Sequence, residues 1–375
     1  IKPNMNILIA PDKFKGSLTA YQVASAISKG AKRFDETINC TILPLADGGE
    51  GSLQVIQNVL NLKQIEVKVK DPLGKTITSN YLQKGKEVYI ELALSSGLQL
   101  LKIADRNPLL TSTIGTGQKI RHAIENGANV IHLFLGGSAT NDAGIGISSA
   151  LGYVFKDKKG KPLPAIGASL AQVENLELIN PPNGLSEVLI NCYVDVSNPF
   201  YGPTGAAFVY AKQKGANAEM INQLDIGLQS FANLIYKKFN TNINVKGAGA
   251  AGGIPGGLKA LFNIEIHSGI DFILETLSFK EELKKADFVI TGEGKYDIQS
   301  VQGKVVTGVK RIADKMNKDC ILLAGCIDID EKDPMLASYN YFDSVEKYAS
   351  SQTDSINNAS YYLEMMSAAM MRSIA

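Results

Sequence analysis

The sequence predicts an α/β protein in which both chain ends contribute to one Rossmann-like domain with a parallel sheet. Two observations carry this prediction. Short apolar runs alternate with helical patterns near both ends of the chain, as in doubly wound sheets. Between them lie strands that alternate apolar and polar residues, which is typical of antiparallel pairing. We therefore predict a discontinuous Rossmann-like domain of residues 1–65 and 281–375, and an inserted mixed α/β domain of residues 66–280.

The first four predicted elements follow one another as strand, helix, strand and helix. Residues 6–10 form a short apolar strand, and the next helix begins at Thr19. Thr19 and Gln22 have the spacing of a capping box, in which each side chain bonds the backbone N–H of the other residue. A second strand covers residues 41–45, and a second helix covers residues 52–62. This order predicts parallel strands joined by helical crossovers.

The middle of the chain predicts the mixed sheet. A turn signal at residues 71–74 separates two alternating strands, so these strands are expected to pair as a hairpin. The predicted elements of this region are strands 65–69, 76–83, 88–94, 130–135 and 188–194 and a helix at 117–126. The end of the chain adds strands 288–290, 320–324 and 342–345 and helices 305–315 and 357–372. This last group supplies the remaining strands of the Rossmann-like domain.

Length and charge fit a globular protein with two domains. The chain has 375 residues and a formal net charge of +1. A net charge this close to zero produces no positive field that would attract nucleic acid or an anionic membrane. No apolar run is long enough to span a bilayer. We expect a cytoplasmic protein without a signal peptide, a nucleic-acid partner or a membrane partner. The sequence leaves the oligomeric state open.

The cysteines and histidines predict neither a zinc site nor a redox pair. The four cysteines are scattered, and they are Cys40, Cys192, Cys320 and Cys326. We interpret them as reduced thiols that pack as small apolar side chains. The three histidines also lack metal-binding spacing, which argues against a zinc enzyme and against a Ser–His hydrolase.

Two glycine-rich turns that carry carboxylates follow predicted strands, at residues 46–51 and 291–297. Ligands of open α/β sheets bind at the carboxyl ends of strands, and glycine lets the backbone approach a phosphate closely. The acidic residues of these turns are Asp47, Glu50, Glu293 and Asp297. Because carboxylates beside an anion-binding turn need a cation between them and the phosphate, the turns suggest phosphoryl chemistry with a divalent metal.

The loop after the first strand, residues 11–17, is a further candidate for the chemistry. It combines Asp12, Lys13, Lys15 and Ser17 ahead of a helix. Such a loop is either a solvated connection or a site where a lysine neutralises a phosphate or a substrate carboxylate. The sequence pattern does not decide between the two.

Two more segments compete for the chemistry. The turn at residues 136–142 offers backbone N–H groups together with Ser138, Thr140 and Asn141, which suits an anion. Asp195 ends an otherwise apolar strand, where an unpaired carboxylate is costly. It therefore either caps the turn that follows or acts as a general base or metal ligand.

A dinucleotide fingerprint occurs at residues 247–252 and gives one alternative function, an NAD-linked oxidoreductase. The spacing is Gly-x-Gly-x-x-Gly, and Glu265 lies about the right distance downstream. However, the strand expected before it covers only residues 243–245, and the helix after it would contain Pro255. Close backbone packing, or a loop beside a phosphate, is the preferred interpretation. No Walker A loop occurs, so a phosphotransferase here is not of the P-loop type.

Six motifs together resemble the type I glycerate kinase family. In family order they are residues 9–18, 45–51, 136–144, 247–253, 290–294 and 299–304. Together they span nearly the whole chain. The resemblance implies transfer of the ATP γ-phosphate to a hydroxyl of D-glycerate with Mg²⁺, giving 2-phosphoglycerate, with 3-phosphoglycerate as the alternative product. It also implies two α/β domains with a cleft between them.

On this resemblance we assign hypothetical roles to the matching residues. Asp195 is the expected general base with Asp47 as runner-up, and Lys15 neutralises the migrating phosphoryl group or the glycerate carboxylate. The expected Mg²⁺ contacts are Asp47, Glu50 and Asp297. The expected ATP contacts are Gly136, Gly137, Gly292, Glu293, Gly294, Ser300 and Lys304. The expected glycerate contacts are Asp12, Ser17, Arg121, Ser138, Thr140 and Asn141, although Arg121 could equally lie on the helix surface.

Four positions depart from the family pattern, namely Lys13, Val194, Ser197 and Val306. Lys13 adds a charge beside the expected site, and Ser197 weakens any need for a second carboxylate there. A protein that binds small ligands without catalysis is the remaining alternative. It is disfavoured because carboxylates and lysines are concentrated in the glycine-rich turns.

Overall fold

The structure is a computed structural model and describes residues 5–298, 300 and 304–374. Its helices and strands are, in chain order, β1 (Asn6–Ile9), α1 (Ala20–Phe34), β2 (Asn39–Ile42), α2 (Ser52–Leu60), β3 (Lys63–Lys70), β4 (Thr76–Lys84), β5 (Glu87–Glu91), α3 (Ala93–Ser96), α4 (Ile114–Glu125), β6 (Val130–Phe134), α5 (Ile145–Ala150), β7 (Tyr153–Lys156), β8 (Asn175–Leu178), β9 (Leu189–Val194), α6 (Ala206–Tyr210), α7 (Ala218–Phe239), α8 (Ala250–Lys259), β10 (Asn263–Ser268), α9 (Gly269–Thr276), α10 (Phe279–Lys285), β11 (Phe288–Thr291), β12 (Lys295–Tyr296), α11 (Val305–Lys315), β13 (Asp319–Ala324), β14 (Cys326–Ile327), α12 (Pro334–Ala337), β15 (Tyr341–Ser344), α13 (Gln352–Asn357) and α14 (Ala359–Ile374). The predicted α/β class is confirmed.

The chain divides into two compact units. Unit 1 comprises Ile1–Asp47 and Ile270–Ala375, and unit 2 comprises Gly48–Gly269. Both chain ends therefore belong to one unit, and the middle of the chain forms the other. The predicted boundaries near residues 65 and 280 lie further along the chain than these divisions.

Unit 1 contains a five-stranded parallel sheet in the order β15-β13-β11-β1-β2. The position of β1 between β2 and β11 explains how the chain ends combine, because Ile7 pairs with Cys40 of β2 on one side and with Phe288 of β11 on the other. Helices α1 and α14 pack on this sheet, and their buried apolar residues share one core with the strands. This is the Rossmann-like parallel sheet that the sequence predicts from both chain ends.

Unit 2 contains a six-stranded mixed sheet in the order β10-β9-β6-β5-β4-β3. The strand β4 is antiparallel to both of its neighbours, β3 and β5, whereas β5, β6, β9 and β10 run parallel. The predicted hairpin is present, with Lys63 opposite Gln83 and Lys70 opposite Thr76. The mixed inserted sheet predicted from the alternating strands is therefore confirmed.

Helix α2 is attached to the sheet of unit 2 by a carboxylate. Glu91, the last residue of β5, accepts hydrogen bonds from the backbone N–H of Gly51 at 3.0 Å and of Leu53 at 3.4 Å. These are N–H groups at the start of α2 that have no partner inside the helix. Leu53 and Ile56 are buried below the helix. The attachment is why α2 groups with unit 2, although the sequence places it before the predicted boundary.

Helix α1 begins as the capping box predicts. The Thr19 hydroxyl accepts from the Gln22 N–H at 3.2 Å, and the Gln22 side chain accepts from the Thr19 N–H at 2.9 Å. Its inward face carries Val23, Ile27 and Ala31, all fully buried. The helix thus starts and faces the core as its local sequence specifies.

The glycine-rich segment at residues 247–252 does not have the dinucleotide-binding architecture. No strand precedes it between residues 241 and 246, so the short strand expected at residues 243–245 is absent. Its glycines instead allow close packing, because a Cβ at Gly249 would lie 2.1 Å from the Pro199 carbonyl oxygen. Gly252 has a φ of +78°, and a Cβ there would lie 2.1 Å from the Thr140 carbonyl oxygen. The segment supports its neighbouring loops by backbone contact.

The cysteines are all thiols. Cys192 and Cys320 are fully buried, and burial raises the pKa of each thiol, that of Cys192 to about 12. These two therefore act as small apolar side chains, as expected. Within the described ranges, no helix is long and apolar enough to cross a bilayer.

A buried lysine in unit 2 gives a test of stability against pH. The Lys119 ammonium group is fully buried and donates to the Glu91 carbonyl oxygen at 2.8 Å, and burial lowers its pKa to about 7. The unfolded chain keeps that proton up to an ordinary lysine pKa, so it binds more protons than the folded chain above about pH 7. The contribution of Lys119 to the free energy of unfolding consequently rises with pH.

We expect the free energy of unfolding of the wild type, relative to Lys119→Met, to increase by about 2 kcal/mol between about pH 7 and about pH 9. Urea unfolding of both proteins across that range measures the difference. The two carbonyls that lose their donor in the variant, those of Asn80 and Glu91, do not titrate, so the cost of leaving them unpaired does not change with pH. A difference that stays flat with pH would mean that Lys119 titrates in its normal range.

Candidate active site

The first group of candidate residues lies at the carboxyl edge of the unit 1 sheet. The strands β11, β1 and β2 are parallel neighbours, so the loops that follow them meet at one edge. The backbone N–H of Asp12 donates to the Gly292 carbonyl at 2.8 Å, and that of Leu45 donates to the Pro11 carbonyl at 2.9 Å. The sheet therefore brings together the loop after β1 and the two acidic turns that the sequence singles out.

Four carboxylates of these loops interact electrostatically, namely Asp12, Asp47, Glu293 and Asp297. Asp12 is buried, and burial together with the charge of Asp47 raises its pKa to about 8. Glu293 is also buried, and burial raises its pKa to about 7, with smaller contributions from Asp297 and Asp47. One Glu293 carboxylate oxygen, Oε1, has no hydrogen-bond partner in the described part of the chain. The edge thus concentrates negative charge that a cation would stabilise.

The residues present fit a Mg²⁺ ion that is completed by water and phosphate oxygens. Across residues 5–298, 300 and 304–374, no three His, Cys, Asp or Glu side chains are arranged to hold a metal by themselves. Mg²⁺ takes oxygen ligands, usually keeps several waters and often needs only one or two carboxylates beside substrate phosphates. Asp12, Asp47 and Glu293 supply such oxygens, and the partnerless Glu293 Oε1 can accept from a bound water.

Glycines in the turn after β11 allow the loops to stack. A Cβ at Gly292 would lie 2.1 Å from the Leu323 carbonyl oxygen, and one at Gly294 would lie 3.0 Å from the Lys15 backbone nitrogen. These contacts place the loop with Lys15 directly against the turn. The Lys15 side chain is exposed, whereas the Ser17 hydroxyl donates to the Ile356 carbonyl oxygen. Lys15 can therefore reach a ligand, but Ser17 already has a protein partner.

Ser300 and Lys304 lie near Glu293. The Asp297 N–H donates to the Ser300 hydroxyl oxygen at 3.0 Å, and the Ser300 N–H donates to the Asp297 carbonyl at 2.9 Å. A hydrogen bond from Ser300 and the positive charge of Lys304 both oppose the rise in the pKa of Glu293. Lys304 is the N-cap residue of α11. The rest of their motif, residue 299 and residues 301–303, lies outside the described residues.

The second group of candidate residues lies at the carboxyl edge of the unit 2 sheet. The turn at residues 136–142 follows β6, and Asp195 follows β9, its parallel neighbour. Glu50 adjoins this turn, because a Cβ at Gly137 would lie 3.8 Å from the Glu50 Cβ. A Cβ at Gly136 would lie 2.4 Å from the Gly49 Cα, so glycine is required there for the approach. The structure thus groups Glu50 with this turn within unit 2.

The turn after β6 carries buried polar side chains without partners. Thr140 Oγ1 and both polar atoms of the Asn141 amide are buried and have no hydrogen-bond partner among the described residues. Asp142 is buried as well, but its carboxylate accepts from the Thr113 N–H and hydroxyl, both at 2.8 Å. Burial raises the pKa of Asp142. The turn is therefore fixed by Asp142, while Thr140 and Asn141 can bind a ligand.

Lys214 is a residue of this site that the sequence reasoning missed. Its buried ammonium group donates to the Ser138 hydroxyl oxygen at 2.8 Å and to the Thr140 carbonyl oxygen at 2.6 Å. Burial lowers its pKa to about 7, and the charge of Asp142 opposes that change. Lys214 lies 76 residues from Ser138 in the chain, so no local motif could reveal the contact.

Asp195 lies beside a loop that is held by side-chain and backbone hydrogen bonds. The Tyr210 hydroxyl donates to the Asn198 side chain, and the Asn198 amide donates to the Thr204 carbonyl at 2.8 Å. Burial raises the pKa of Tyr210, and the negative charge of Asp195 raises it further. The Asp195 carboxylate and the Tyr210 hydroxyl therefore interact electrostatically. A carboxylate on a fixed loop at a strand end is suited to take up a proton.

Arg121 is not grouped with these residues. Its guanidinium group donates to Glu125 at 2.8 Å and to the carbonyl oxygens of Ala150 and Asn180, both at 3.1 Å. The first contact is an i,i+4 ion pair, and the Ala150 carbonyl belongs to the last turn of α5. The side chain thus connects α4 to the end of α5 and to the loop after β8.

The site combines buried carboxylates at strand ends with a buried ammonium group under a glycine-rich turn. This combination is consistent with a phosphotransferase. Comparison with known proteins gives the family. The model of the glycerate kinase family matches residues 7–375. The chain therefore belongs to the glycerate kinase family, and it is an enzyme of the kinase class.

The chain is similar to individual members of this family over most of their length. The chain is 42% identical to a glycerate kinase from Haemophilus influenzae, with 87% of each chain covered. It is 37% identical to a glycerate kinase from Bacillus subtilis over 96% of this chain and 95% of that protein. It is similar to a solved structure from Salmonella typhimurium LT2, provisionally named glycerate kinase 2, with a TM-score of 0.79, 35% identity and coverage of 99% and 98%. The similarity therefore extends across both units.

Proposed function

We propose that this protein transfers the γ-phosphoryl group of ATP to the 2-hydroxyl of D-glycerate, with Mg²⁺ as cofactor. The observation that carries the proposal is the convergence of Asp12, Asp47 and Glu293 at one sheet edge in a chain of this family. The 2-hydroxyl is supported by an Escherichia coli relative named glycerate 2-kinase, which is 38% identical over 87% of this chain and 86% of that protein.

In this proposal unit 1 binds ATP and the metal. Asp47 and Asp297, with Asp12 and Glu293 added by the geometry, would hold Mg²⁺ directly or through water. The role of Glu50, which belongs to unit 2, stays a prediction. Mg²⁺, when bound, neutralises charge on the phosphate oxygens. Lys15 and Lys304 would neutralise the remaining negative charge of the phosphates. The backbone N–H groups of Gly292 and Gly294 and the Ser300 hydroxyl would contact the phosphate oxygens. Phosphoryl transfer needs this positioning more than covalent help.

Unit 2 would bind the acceptor. Ser138, Thr140 and Asn141 would hydrogen-bond the glycerate, with Gly136 and Gly137 allowing a phosphate oxygen to approach the backbone. Asp195 would take the proton of the 2-hydroxyl while the oxygen of that hydroxyl forms a bond to the γ-phosphorus. The bond from that phosphorus to the β,γ-bridging oxygen then breaks and ADP leaves. Neither Arg121 nor Ser17 is retained as a substrate contact, because both have protein partners.

Phosphorus NMR of the protein incubated with ATP, Mg²⁺ and D-glycerate tests this function. We expect a new phosphomonoester signal split by one proton, as in 2-phosphoglycerate. Splitting by two protons would instead identify 3-phosphoglycerate. If no ester forms with folded protein while calorimetry still detects glycerate binding, the protein binds without catalysis and the proposal fails.

The remaining expectations stay predictions. An NAD-linked reaction is disfavoured because the glycines at residues 249 and 252 contact neighbouring backbone. The cytoplasmic location and the absence of nucleic-acid and membrane partners rest on composition alone.

A further inference from the structure

Lys214 lies under the turn that follows β6, in a short helical segment between α6 and α7. We propose that Lys214 is a positioning residue that prepares Ser138, Thr140 and Asn141 to bind the carboxylate of the acceptor substrate. The inference rests on the proposed function for the identity of the acceptor. It adds a residue that none of the six sequence motifs contains.

The direction of the hydrogen bonds gives the first argument. An ammonium group only donates, so the Ser138 oxygen accepts at 2.8 Å and its own hydrogen points elsewhere. In the described residues that hydroxyl has no acceptor. Lys214 also fixes the Thr140 carbonyl at 2.6 Å, which sets the backbone of the turn. The lysine therefore leaves the Ser138 hydroxyl ready to donate to a ligand.

The neighbouring side chains give the second argument. Thr140 and Asn141 are fully buried, yet the Thr140 hydroxyl and the Asn141 amide are without partners among the residues described. A buried polar group without a partner is destabilising, because it has lost its hydrogen bonds to water. Three positions of this turn, Ser138, Thr140 and Asn141, thus carry hydrogen-bond donors with unused capacity. A carboxylate, which accepts several hydrogen bonds at once, matches this set of donors.

The cost of burying the ammonium group gives the third argument. Taking an ammonium group out of water is costly, and even a complete buried ion pair often contributes little to stability, so a buried lysine is weak evidence for a purely structural role. Only two of its three N–H groups have acceptors in the described structure. A negative charge bound at the turn would stabilise the ammonium form. We therefore expect glycerate binding to take up a proton when the pH is above about 7.

Other charged groups around Lys214 do not change the sign of this effect. Asp142 favours the charged form of the lysine, but its carboxylate is already bound by the Thr113, Gly144 and Gly146 N–H groups. Arg106 packs against Gly215, the residue that follows Lys214, and Lys212 lies on the same short segment. Both residues are cations, so they disfavour the charged form of Lys214. They cannot supply the negative charge that a bound carboxylate would bring.

Calorimetric titration with D-glycerate tests the proposal through the variants Lys214→Met and Lys214→Arg. We expect Lys214→Met to weaken binding about 10- to 100-fold and Lys214→Arg to restore part of it. In steady-state assays the KM for glycerate should rise while the KM for ATP changes less than about threefold. Lys119→Met is the matched control, because it removes another fully buried lysine that contacts the carbonyls of Asn80 and Glu91 and not the turn.

Proton uptake distinguishes positioning from a structural role. Wild-type titrations at about pH 8 in phosphate and in Tris should differ in apparent enthalpy, and the difference should vanish in Lys214→Met. If Lys214→Met binds glycerate within about twofold of wild type, or raises the KM for ATP instead, the inference is overturned.

Failure of the proposed role of Lys214 can be distinguished from misfolding of the variant and from failure of the proposed function. If Lys214→Met does not fold, Ser138→Ala decides, because loss of that hydroxyl should weaken glycerate binding about tenfold and unchanged binding overturns the inference. A wild type that makes phosphoglycerate while both variants bind normally refutes the role of Lys214 alone. A wild type that neither binds nor phosphorylates glycerate refutes the proposed function as well.

Discussion

Replacement of Asp195 by Asn is expected to lower kcat by about 10²- to 10⁴-fold, the range that general-base catalysis supplies. The amide has the same shape as the carboxylate but cannot take the proton of the acceptor hydroxyl. Binding of glycerate should change little, because the proposed carboxylate contacts lie in the turn after β6. Rapid-quench measurement of the first turnover, together with calorimetric titration of glycerate, checks both statements.

A control variant separates this effect from a general loss of charge in unit 2. Asp157 lies in an exposed turn and accepts from the N–H groups of Lys159 and Lys161. Asp157→Asn should therefore leave kcat unchanged. If Asp195→Asn retains more than about a third of the wild-type kcat, another base acts, and Asp47 becomes the first residue to test.

Replacement of Asp47 by Asn is expected to have the second largest effect. Loss of one oxygen ligand for Mg²⁺ should raise the Mg²⁺ concentration for half-maximal activity about tenfold and lower kcat about 100-fold. Chelation of the metal should abolish transfer in the wild type, and added Mg²⁺ should restore it. Steady-state assays at several Mg²⁺ concentrations measure these changes.

The same variant has a readout without turnover. The charge of Asp47 raises the pKa of both Asp12 and Glu293, so Asp47→Asn should lower both pKa values in metal-free protein. Carbon NMR titration of labelled carboxylates detects this shift. Asp319→Asn is the control, because Asp319 begins β13 and so lies at the amino edge of the sheet. Unchanged titration of Asp12 in Asp47→Asn would mean that the two carboxylates do not interact.

Local patterns were sufficient to predict much of the fold. The capping box at Thr19 and Gln22 forms as its spacing predicts, because it involves residues three apart. The helix predicted at residues 305–315 has the bounds of α11, and the hairpin around residues 71–74 has the predicted pairing. The helix predicted at residues 357–372 corresponds to α14, Ala359–Ile374, and the short helix α13, Gln352–Asn357, before it was not predicted. Segment ends were the least accurate part, since helix and strand ends depend on contacts outside the segment.

Local patterns were insufficient where a residue depends on a distant partner. The spacing at residues 247–252 matches a dinucleotide fingerprint, but it cannot reveal that Gly249 lies against Pro199. Arg121 carries the right charge for a carboxylate, but it is bound to Glu125 and to two carbonyl oxygens. In both cases the sequence names a suitable group, and tertiary contacts decide what it does.

The sequence alone determined the α/β class, the glycine-rich turns at strand ends and the family resemblance, because each depends on periodicity or on short ordered motifs. Only the tertiary structure decided that β1 lies between β11 and β2, which brings Asp12, Asp47 and Glu293 to one edge. It likewise decided that Lys214 lies under Ser138. The physical reason is that strand order and burial arise from pairings between distant segments, and burial in turn sets the pKa values and the unused hydrogen-bonding capacity of these groups.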